Sequence, residues 1–444
     1  MNLDQAHANE TVIETAKKLG TDDAISLMVV SDETMARFAN DSITVTKNIN
    51  DASVLVYLAK NRRRIVGASS NPDDASIKLF VRRLYDSLLS LPEEPDFARI
   101  PTRARSFRSR GRRVAKASVN QEVPDYASRA IEAARSAGAK RTAGSVESSH
   151  SVLRLLTSSG TTGVDEGSKL LLNVRAFAEK EASGHGLSCS SSLGGFDPEE
   201  AGRRAGEHAK RMRNPKRPEE GTYQVLMSPT VASNLVSLIG DFASAFSVDA
   251  GVSYLVGKLN KKVASPGFAL KDHGQLESAL DTRTFDDEGL PTQSTPIIED
   301  GVLRNYLHNL TTARKFGAKS TGNAGWIDPQ PWNLEVGTGD SSYEEMVTQV
   351  KHGIILTSNW YTRFTNYRTG EFSTVPRDGS YLVENGRITT AVNGLRISDT
   401  LERMFSAVES VSKKREWIQW WEVDVPTLCP WILVGGVKVT KAYG

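Results

Sequence analysis

Three adjacent acidic residues form the densest group of catalytic side-chain types in this sequence. Asp286, Asp287 and Glu288 lie in the stretch FDDEGLPTQSTPIIEDG, residues 285–301. Carboxylates can bind a cation or act as general acid and base, but a calcium loop needs oxygen ligands at alternating positions over about twelve residues. That spacing is absent, so a metal site is the less favoured interpretation. The acids are predicted to form a polar loop before a hairpin that turns at Asp300-Gly301.

Histidine and cysteine offer no recognisable metal spacing. His185 and Cys189 are four residues apart on a predicted strand, so they lie on one face but about 13 Å apart. This is too far for one zinc with bonds of about 2.0–2.3 Å, unless the glycine-rich segment bends sharply. The sequence has no phosphate-binding glycine loop, no G-x-S-x-G and no H-E-x-x-H. His208 is interpreted as a surface residue of a helix, and clustering of other histidines in space stays open.

Two further clusters have both a functional and a structural interpretation. Seven arginines between residues 99 and 113 could contact phosphates or belong to a solvated linker. The linker is favoured, because neighbouring acids balance the charge and Phe107 is the one interleaved aromatic. The stretch REWIQWWEVDVP carries Trp417, Trp420 and Trp421, which suit a peptide or subunit interface as well as an ordinary core.

The composition is that of a globular protein. The chain has 444 residues, 39% of them hydrophobic and 24% charged, and a net charge of +2. A length of this size predicts two or three domains, and the charge balance gives no general attraction to nucleic acid or to anionic membranes. No apolar stretch approaches the roughly 20 residues that span a bilayer. With no visible export signal and two cysteines, we expect a cytoplasmic protein without a membrane partner.

The same order of elements is predicted twice in the first half of the chain. A helix that ends at Gly20 is followed by alternating strands, a turn at Asn40-Asp41 and a second helix with Ile77 and Leu88 on its buried stripe. A helix, strands and a helix that begins with Pro198 then repeat this order. The predicted parts are a first α+β unit at 1–95, an arginine-rich linker at 96–122, a second α+β unit at 123–217 and a C-terminal domain at 218–444.

The C-terminal part has many short strand-like runs, a pattern typical of an antiparallel sheet. Asn385-Gly386 stands between two strand-like runs, which is a strong hairpin signal. A short helix is predicted with a capping box from Ser341 to Glu344 and a stop at Gly353. The fold class is therefore α+β, with a duplicated helix–antiparallel strands–helix unit followed by a domain rich in antiparallel β-sheet.

Several ordered motifs resemble the TldD/PmbA family, long labelled modulators of DNA gyrase. They are ETMARFANDSI, FDDEGLPTQSTPIIEDGVLRNYLHN, TARKFGAKSTGNAG, RTGEFSTV and GSYLVENGRI. The resemblance extends over essentially the whole chain. It implies an α+β N-terminal portion and a β-rich C-terminal domain. It also implies an assembly of two homologous subunits, TldD and TldE (PmbA), that acts as a metallopeptidase on small or unfolded peptides.

In the catalytic subunit of that family, a helix early in the C-terminal domain carries H-E-x-x-x-H. The histidines bind zinc and the glutamate prepares the attacking water. The matching helix here is SPTVASNLVSLIGDFASAF, with Ser228 as its predicted cap. Placing the motif's glycine on Gly240 puts Val236, Ser237 and Asp241 at the positions of the histidine, glutamate and histidine. Valine and serine cannot replace an imidazole and a catalytic carboxylate, so the resemblance favours the TldE/PmbA branch.

The leading hypothesis is therefore a TldE/PmbA-like subunit without a catalytic or metal-binding residue of its own. It implies a heterodimer with a TldD-like homologue that carries the zinc, with a homodimer as the alternative, and a chamber for peptide substrates. This chain itself is expected to hold no cofactor. The residues that would line the peptide cavity or face the partner are Asp286, Asp287, Glu288, Thr321 and Asn323.

Two other hypotheses stay open at this point. One is a self-sufficient metallopeptidase whose ligands are not visible in the sequence spacing. The other is a nucleic-acid-binding or gyrase-associated protein that uses Arg103, Arg105, Arg110 and Arg112, although the near-neutral net charge disfavours it. Cys429 lies near the region where catalytic members of the family place a functional cysteine, but the surrounding residues differ, so no role is assigned to it.

Overall fold

The computed structural model describes residues 5–70, 73–108, 116–276, 278–325 and 327–442, and it has two sheets with helices packed on them. The helices are α1 (Gln5–Lys18), α2 (Asp74–Leu89), α3 (Lys116–Ser136), α4 (Pro198–Arg211), α5 (Pro229–Phe242), α6 (Ala245–Asp249), α7 (Leu310–Phe316), α8 (Tyr343–Gln349) and α9 (Leu401–Ser406). Among the described residues, none of the helices combines the length and the apolar character needed to cross a lipid bilayer.

The first sheet lies in the N-terminal half and the second in the C-terminal half. The strands of the first sheet are β1 (Asp23–Ala39), β2 (Ser42–Lys60), β3 (Arg63–Ser69), β4 (Ser106–Arg108), β5 (Arg141–Thr157), β6 (Thr162–Phe177) and β7 (Ser183–Ser190). Those of the second are β8 (Gly221–Met227), β9 (Leu270–His273), β10 (Ser294–Glu299), β11 (Val302–Leu303), β12 (Leu334–Val336), β13 (His352–Leu356), β14 (Asn359–Asn366), β15 (Glu371–Pro376), β16 (Ser380–Glu384), β17 (Arg387–Ala391), β18 (Leu395–Thr400), β19 (Val408–Trp420) and β20 (Val423–Lys441). This α+β architecture is the fold class that the sequence predicts.

The duplication predicted for the first half is confirmed. One copy runs α1-β1-β2-β3-α2 and the other α3-β5-β6-β7-α4. The copies do not form separate sheets, because β1 of the first pairs antiparallel with β5 of the second along its length, from Ile25 opposite Thr157 to Ala39 opposite Ala143. Joining the copies in this way removes two strand edges that would otherwise expose unpaired backbone groups.

The hairpin between β1 and β2 turns where the sequence predicts it. Asn40 and Asp41 both have positive φ, 51° and 63°, and these two residue types tolerate the left-handed conformation that a two-residue hairpin turn needs. On the other side of β2, β3 pairs only with Val54–Lys60. Among the described residues, the outer edge of β2 before Val54 therefore lies open.

The predicted arginine-rich linker is partly regular structure. β4 pairs parallel with β6, and α3 begins at Lys116, within the range assigned to the linker. Arg99 contacts the buried Asp23 carboxylate at 2.8 Å, so this arginine packs against the first sheet. The predicted phosphate-contacting positions 110 and 112 lie outside the described residues.

The hairpins predicted for the C-terminal half are present. Asp300 and Gly301 join β10 to β11, and Asn385-Gly386 joins β16 to β17, all with positive φ. Pro296 coincides with a register shift between β10 and β9, as expected for a proline in a strand.

The predicted boundaries of α8 are wrong by a few residues. The capping box runs from Ser342 to Glu345, because the Ser342 side chain accepts the Glu345 amide while the Glu345 carboxylate accepts the Ser342 amide. The helix ends at Gln349, and Gly353 lies inside β13. Two consecutive serines and two consecutive glutamates make the local pattern compatible with both registers.

The two halves meet across one face of the first sheet. At one end Phe285 of the C-terminal half is buried with Tyr57 and Leu155 of that sheet. At the other end Trp420 at the tip of β19 contacts the ring of His185 on β7, with 4.7 Å between ring centroids. Between these contacts the halves enclose a cleft, whose C-terminal wall includes Asp287 of the acidic loop and Trp421 of the turn between β19 and β20.

Candidate functional site

Helix α5 begins as the sequence predicts, but it ends at Phe242, and Phe246, which the prediction places on its buried side, lies in α6 and is exposed. The Ser228 side chain accepts the Val231 amide at 3.3 Å, which satisfies one of the free N–H groups of the first turn, and Pro229 occupies the first helical position. The helix packs against β12 through Gly240, where an added Cβ would lie 2.7 Å from a methyl carbon of Leu334. Glycine therefore allows the close approach of helix and strand at this position.

Of the three positions that replace the family zinc motif, Val236 and Ser237 have structural roles in the folded protein. Val236 is fully buried in the apolar core of the C-terminal half. Ser237 is also buried, and its hydroxyl donates to the Asn234 carbonyl one turn earlier at 3.1 Å. Neither side chain is a zinc donor, since zinc in proteins is bound by thiolate, imidazole or carboxylate groups. The residues of α5 therefore do not fit a zinc ion.

Asp241 is the one ionisable group at these positions. Its side chain still reaches solvent, yet loss of water to the surrounding protein, together with the smaller effect of the Asp424 and Asp328 carboxylates, raises the pKa of the carboxyl to about 7. These three acids come from α5, from the start of β20 and from the loop before β12. They are far apart in sequence, so no local pattern could have revealed that they are neighbours.

The acidic triplet is a loop, but it is buried rather than solvated. Asp286 has no exposed surface, and Asp287 and Glu288 are each 8% exposed. The Asp286 carboxylate accepts the amides of Leu290 at 2.8 Å and Ala324 at 3.2 Å, so it holds two chain segments together. Its role is that of a buried acceptor for backbone N–H groups.

Asp287 and Glu288 have different partners. Asp287 forms an ion pair with Arg283 at 2.7 Å, and Glu288 accepts the amide of Leu310 at 2.8 Å. Burial raises the pKa of Glu288, and the nearby Asp286 carboxylate raises it further. Burial likewise raises the pKa of Asp286, against the effect of its backbone hydrogen bonds.

Thr321 and Asn323 lie next to the acidic loop. The Thr321 hydroxyl accepts the His308 amide at 2.8 Å. The Asn323 side chain donates to the Asp272 carboxylate at 2.6 Å, and the following residue binds Asp286. The structure thus brings all five predicted cavity residues into one region. Their assignment to a peptide cavity or a partner surface stays a prediction, and Asp287 is the one that lines the cavities described next.

Two adjoining cavities lie between the acidic loop and the first sheet. One has a volume of about 340 Å³, and its walls include Leu55, Asp287 and Asp328. The second has about 300 Å³, shares Leu55 and Asp287, and is bordered by Lys169 and Arg283. Both basic groups are paired with acids, Lys169 with Asp281 at 3.0 Å and Arg283 with Asp287.

A third cavity of about 310 Å³ lies at the opposite end of the cleft. Glu147 and Asn173 of the first sheet form one wall, and Trp420, Trp421 and Asp424 form the other. Trp420 is buried, whereas Trp421 is 49% exposed. The tryptophan cluster is therefore partly core and partly cleft wall.

Trp360 and Tyr361 extend this aromatic cluster and were not singled out by the sequence. The ring centroid of Trp360 lies 5.2 Å from that of Trp421. Tyr361 has a φ of 57°, an unfavourable value for an aromatic residue, and its amide donates to the buried Glu422 carboxylate at 2.9 Å. Its strained backbone is thus held by an acid on the turn between β19 and β20.

His185 and Cys189 have separate surroundings. The two ring nitrogens of His185 lie 2.9 Å from Ser358 Oγ and 2.9 Å from Asn173 Oδ1, and burial lowers its pKa to about 4. Burial raises the pKa of the Cys189 thiol to about 12, which disfavours the thiolate that a metal would need. Within the described residues, no group of three or more His, Cys, Asp and Glu is arranged to hold a metal ion.

His208 and Cys429 are both enclosed by the protein. The prediction that His208 is a surface residue is wrong, because its Nδ1 lies 2.8 Å from the Tyr381 hydroxyl of the C-terminal sheet. Burial lowers the pKa of His208 to about 4. Cys429 is fully buried, and burial raises the pKa of its thiol to about 12.

Comparisons with known proteins agree on one family. A family model described as the PmbA/TldA metallopeptidase C-terminal domain matches residues 220–441, and one described as the central domain of the same family matches residues 116–213. A metalloprotease of Methanocaldococcus jannaschii is 30% identical over 222 residues, which cover 48% of this chain and 48% of that protein. The chain thus spans about half the length of the curated relatives it matches.

Two solved structures cover nearly the whole chain. A candidate modulator of a DNA gyrase from Thermotoga maritima is 25% identical, covers 98% of this chain and 100% of its own, and has a TM-score of 0.83. TldE from Thermococcus kodakarensis has a TM-score of 0.86 with the same coverage, at 17% identity. At this identity, the likeness to TldE shows the fold alone.

Proposed function

Because this chain belongs to the PmbA/TldD metallopeptidase family, we propose that it is a TldE/PmbA-like subunit of a two-subunit peptidase. It pairs with a homologous, TldD-like subunit that carries the H-E-x-x-x-H motif and the zinc. It contributes walls of the peptide chamber and no hydrolytic group. The substrates are small or unfolded peptides.

The observation that carries this proposal is that side chains in the second and third turns of α5 are engaged in packing and in a hydrogen bond within the helix. Val236 is part of the apolar core, and the Ser237 hydroxyl is bonded within the helix. Placing an imidazole and a catalytic carboxylate there would need room that the packed core does not offer. The helix is thus built for packing at the positions where a catalytic subunit would bind metal.

The cleft supports the proposal that this chain contributes walls of a peptide chamber. Its cavities are bounded on one side by the first sheet and on the other by Asp287 of the acidic loop, Asp328 of the loop before β12 and the tryptophans at the turn between β19 and β20. A cleft of this kind can hold an extended peptide, with apolar side chains on Leu55 and Trp421 and backbone groups near the carboxylates of Asp328 and Asp424. Ligand sites commonly combine apolar walls with a few polar groups in this way.

The test combines metal analysis with reconstitution. The full-length chain, purified alone and incubated with zinc, is expected to retain no stoichiometric zinc and to leave unstructured peptides uncleaved. Adding the H-E-x-x-x-H homologue from the same organism should produce a complex with chelator-sensitive peptidase activity. Replacing the first histidine of the homologue's motif should abolish that activity and leave the complex intact.

Three results would overturn the proposal, and each identifies a different alternative. One tightly held zinc per chain, lost in His185→Ala or Cys189→Ser, would indicate a metal site of its own. Chelator-sensitive hydrolysis at a rate independent of the homologue would indicate a self-sufficient peptidase. DNA binding that weakens steeply with salt and disappears when Arg103 and Arg105 are neutralised would indicate a nucleic-acid-binding protein.

A further inference from the structure

The cavity of about 310 Å³ at one end of the cleft has acids in its wall and no base. We call it the tryptophan cavity, because Trp420 and Trp421 form part of its wall. The ionisable residues that line it are Glu147 of β5 and Asp424 of β20. Neither carboxylate forms an ion pair with any residue that the structure describes. The two uncompensated acids make this cavity favourable for a cation.

The surroundings of Glu147 are consistent with a carboxylate that lacks a cation of its own. Its strand neighbours, Met35 of β1 and Leu171 of β6, are both apolar. Burial raises the pKa of Glu147, the Glu33 carboxylate raises it as well, and Arg37 has a smaller, opposite effect. A cation in the cavity would offset both unfavourable effects on the charged form of Glu147.

Two buried polar atoms in the wall of the tryptophan cavity have no hydrogen-bond partner among the described residues. They are the indole N–H of Trp420, a residue that is only 6% exposed, and the side-chain oxygen of Gln419. Both residues line the cavity. Buried polar groups are normally hydrogen-bonded, and an unpaired one destabilises the protein. The wall therefore has one donor and one acceptor that a ligand can bind.

Trp421 adds an aromatic surface that no cation of the chain occupies. The neighbouring Trp360 ring already has two guanidinium groups over it, Arg175 at 5.0 Å and Arg377 at 5.5 Å from the ring centroid. In the part of the chain that the structure describes, no Lys or Arg lies over the ring of Trp421, which is 49% exposed. Indole is the aromatic group that binds cations best, and guanidinium is its most frequent partner.

We propose that the tryptophan cavity binds the side chain of an arginine residue in a peptide. The guanidinium donates to the Glu147 carboxylate and to the side-chain oxygen of Gln419, and its apolar stem lies on Trp421. The Trp420 indole N–H donates to a backbone carbonyl of the same peptide. Asp424 adds negative charge at the mouth of the site. This inference names a substrate class for the cleft, and it rests on the proposed function in taking the ligand to be a peptide.

The groups in the wall favour arginine over other cations. A guanidinium is planar, carries five N–H donors and stacks on aromatic rings, whereas the lysine ammonium is compact and strongly hydrated. A free guanidinium compound has no carbonyl for the Trp420 N–H to bind, but a peptide has one beside every side chain. The volume of about 310 Å³ lies at the lower end of the range of roughly 300–1,000 Å³ for ligand pockets, which suits one residue of a peptide.

Isothermal titration calorimetry on the full-length chain alone tests the proposal. The ligands are the tripeptide Gly-Arg-Gly with both ends blocked and the same peptide with citrulline in place of arginine. Citrulline has nearly the same shape as arginine but no charge. The arginine peptide is expected to bind about tenfold more tightly, because hydrogen bonds between ionised groups are roughly twice as strong as neutral ones. A blocked Gly-Lys-Gly peptide should bind less tightly than the arginine peptide.

Variants of the wall assign each contact. Glu147→Gln should weaken binding of the arginine peptide about tenfold and leave the citrulline peptide unaffected, so that the chain no longer distinguishes them. Trp421→Leu should weaken binding of the arginine peptide about two- to fivefold by removing the aromatic surface. Trp420→Phe should weaken both peptides by the same factor, because it removes the donor to the backbone carbonyl. Glu10→Gln changes an exposed acid on α1, outside the cavity, and should change neither affinity.

Two results would overturn the arginine site. One is equal affinity of the wild-type chain for the arginine and citrulline peptides, including no binding of either at millimolar concentration. The other is a preference for arginine that persists in a Glu147→Gln variant whose thermal unfolding matches that of wild type. Both measurements use the chain without a homologue, so they are separate from the test of the proposed function. A complex without peptidase activity would refute the proposed function and leave the arginine preference standing.

Discussion

Replacing Asp378 by Asn tests how the two halves of the protein are held around the cleft. The Asp378 carboxylate accepts from Arg175 of β6 at 2.6 Å, from Ser183 of β7 at 2.6 Å and from the Trp360 indole at 2.9 Å. It thus joins two strands of the first sheet to the aromatic wall of the C-terminal half. Arg175 lowers the pKa of Asp378 although burial alone would raise it, so the carboxyl is charged at neutral pH.

The cost of the substitution follows from burial. The Asp378 side chain has no exposed surface, and that of Arg175 is 22% exposed. Removing one partner of a buried ion pair leaves the other charge uncompensated, which costs about 3–5 kcal/mol of the free energy of unfolding. Because water still reaches part of the guanidinium, we expect about 3 kcal/mol. Asn tolerates the positive φ of 59° at this position, so backbone strain adds little.

Urea denaturation followed by tryptophan fluorescence measures this cost. The matched control is Glu199→Gln, which breaks the ion pair between Arg129 of α3 and Glu199 of α4. Those side chains are 41% and 49% exposed, and pairs at the surface contribute about 0–1 kcal/mol. An Asp378→Asn cost no larger than that of the control would refute the argument that this ion pair holds the halves together.

Three further predictions concern the site and its supports. Because burial raises the pKa of Asp272 to about 7 from 3.8, the folded protein keeps a proton that the unfolded chain has released, and this stabilisation is lost as the pH rises toward 7. Asp272→Asn removes the effect, so the free energy of unfolding of the variant relative to wild type should rise by roughly 2–3 kcal/mol from pH 5 to pH 7 in urea titrations. Gly163→Ala should cost about 1–3 kcal/mol in thermal unfolding, because the new Cβ would lie 2.5 Å from the buried Phe285 ring, whereas Gly167→Ala on the same strand meets nothing closer than 4.0 Å and should not destabilise. Ser228→Ala should cost about 1 kcal/mol by removing the N-cap of α5, and a change below about 0.3 kcal/mol in urea denaturation would contradict that role.

The features that the sequence predicts best are those governed by neighbouring residues. The turns at Asn40-Asp41, Asp300-Gly301 and Asn385-Gly386 are present because each needs positive φ at two successive residues, and Asn, Asp and Gly adopt it most readily. The cap of α5 follows for the same reason, since a helix start depends on residues within one turn. The boundaries of α8 are less certain from sequence because two serines and two glutamates allow adjacent registers.

The tertiary structure decides which of these groups are buried and which meet. Nothing local distinguishes a solvated acidic loop from the buried one at Asp286, because distant elements bury it: the first sheet packs on the neighbouring Phe285, and the segment at Ala324 donates to the Asp286 carboxylate. Likewise, Asp241, Asp328 and Asp424 come together through the packing of distant elements. The sequence by itself determined the order of elements, the tight turns and the absence of imidazole from α5. Which groups are protonated and which form ion pairs depends on how much water each group keeps. The packing of the two halves sets this, and the same packing creates the cleft.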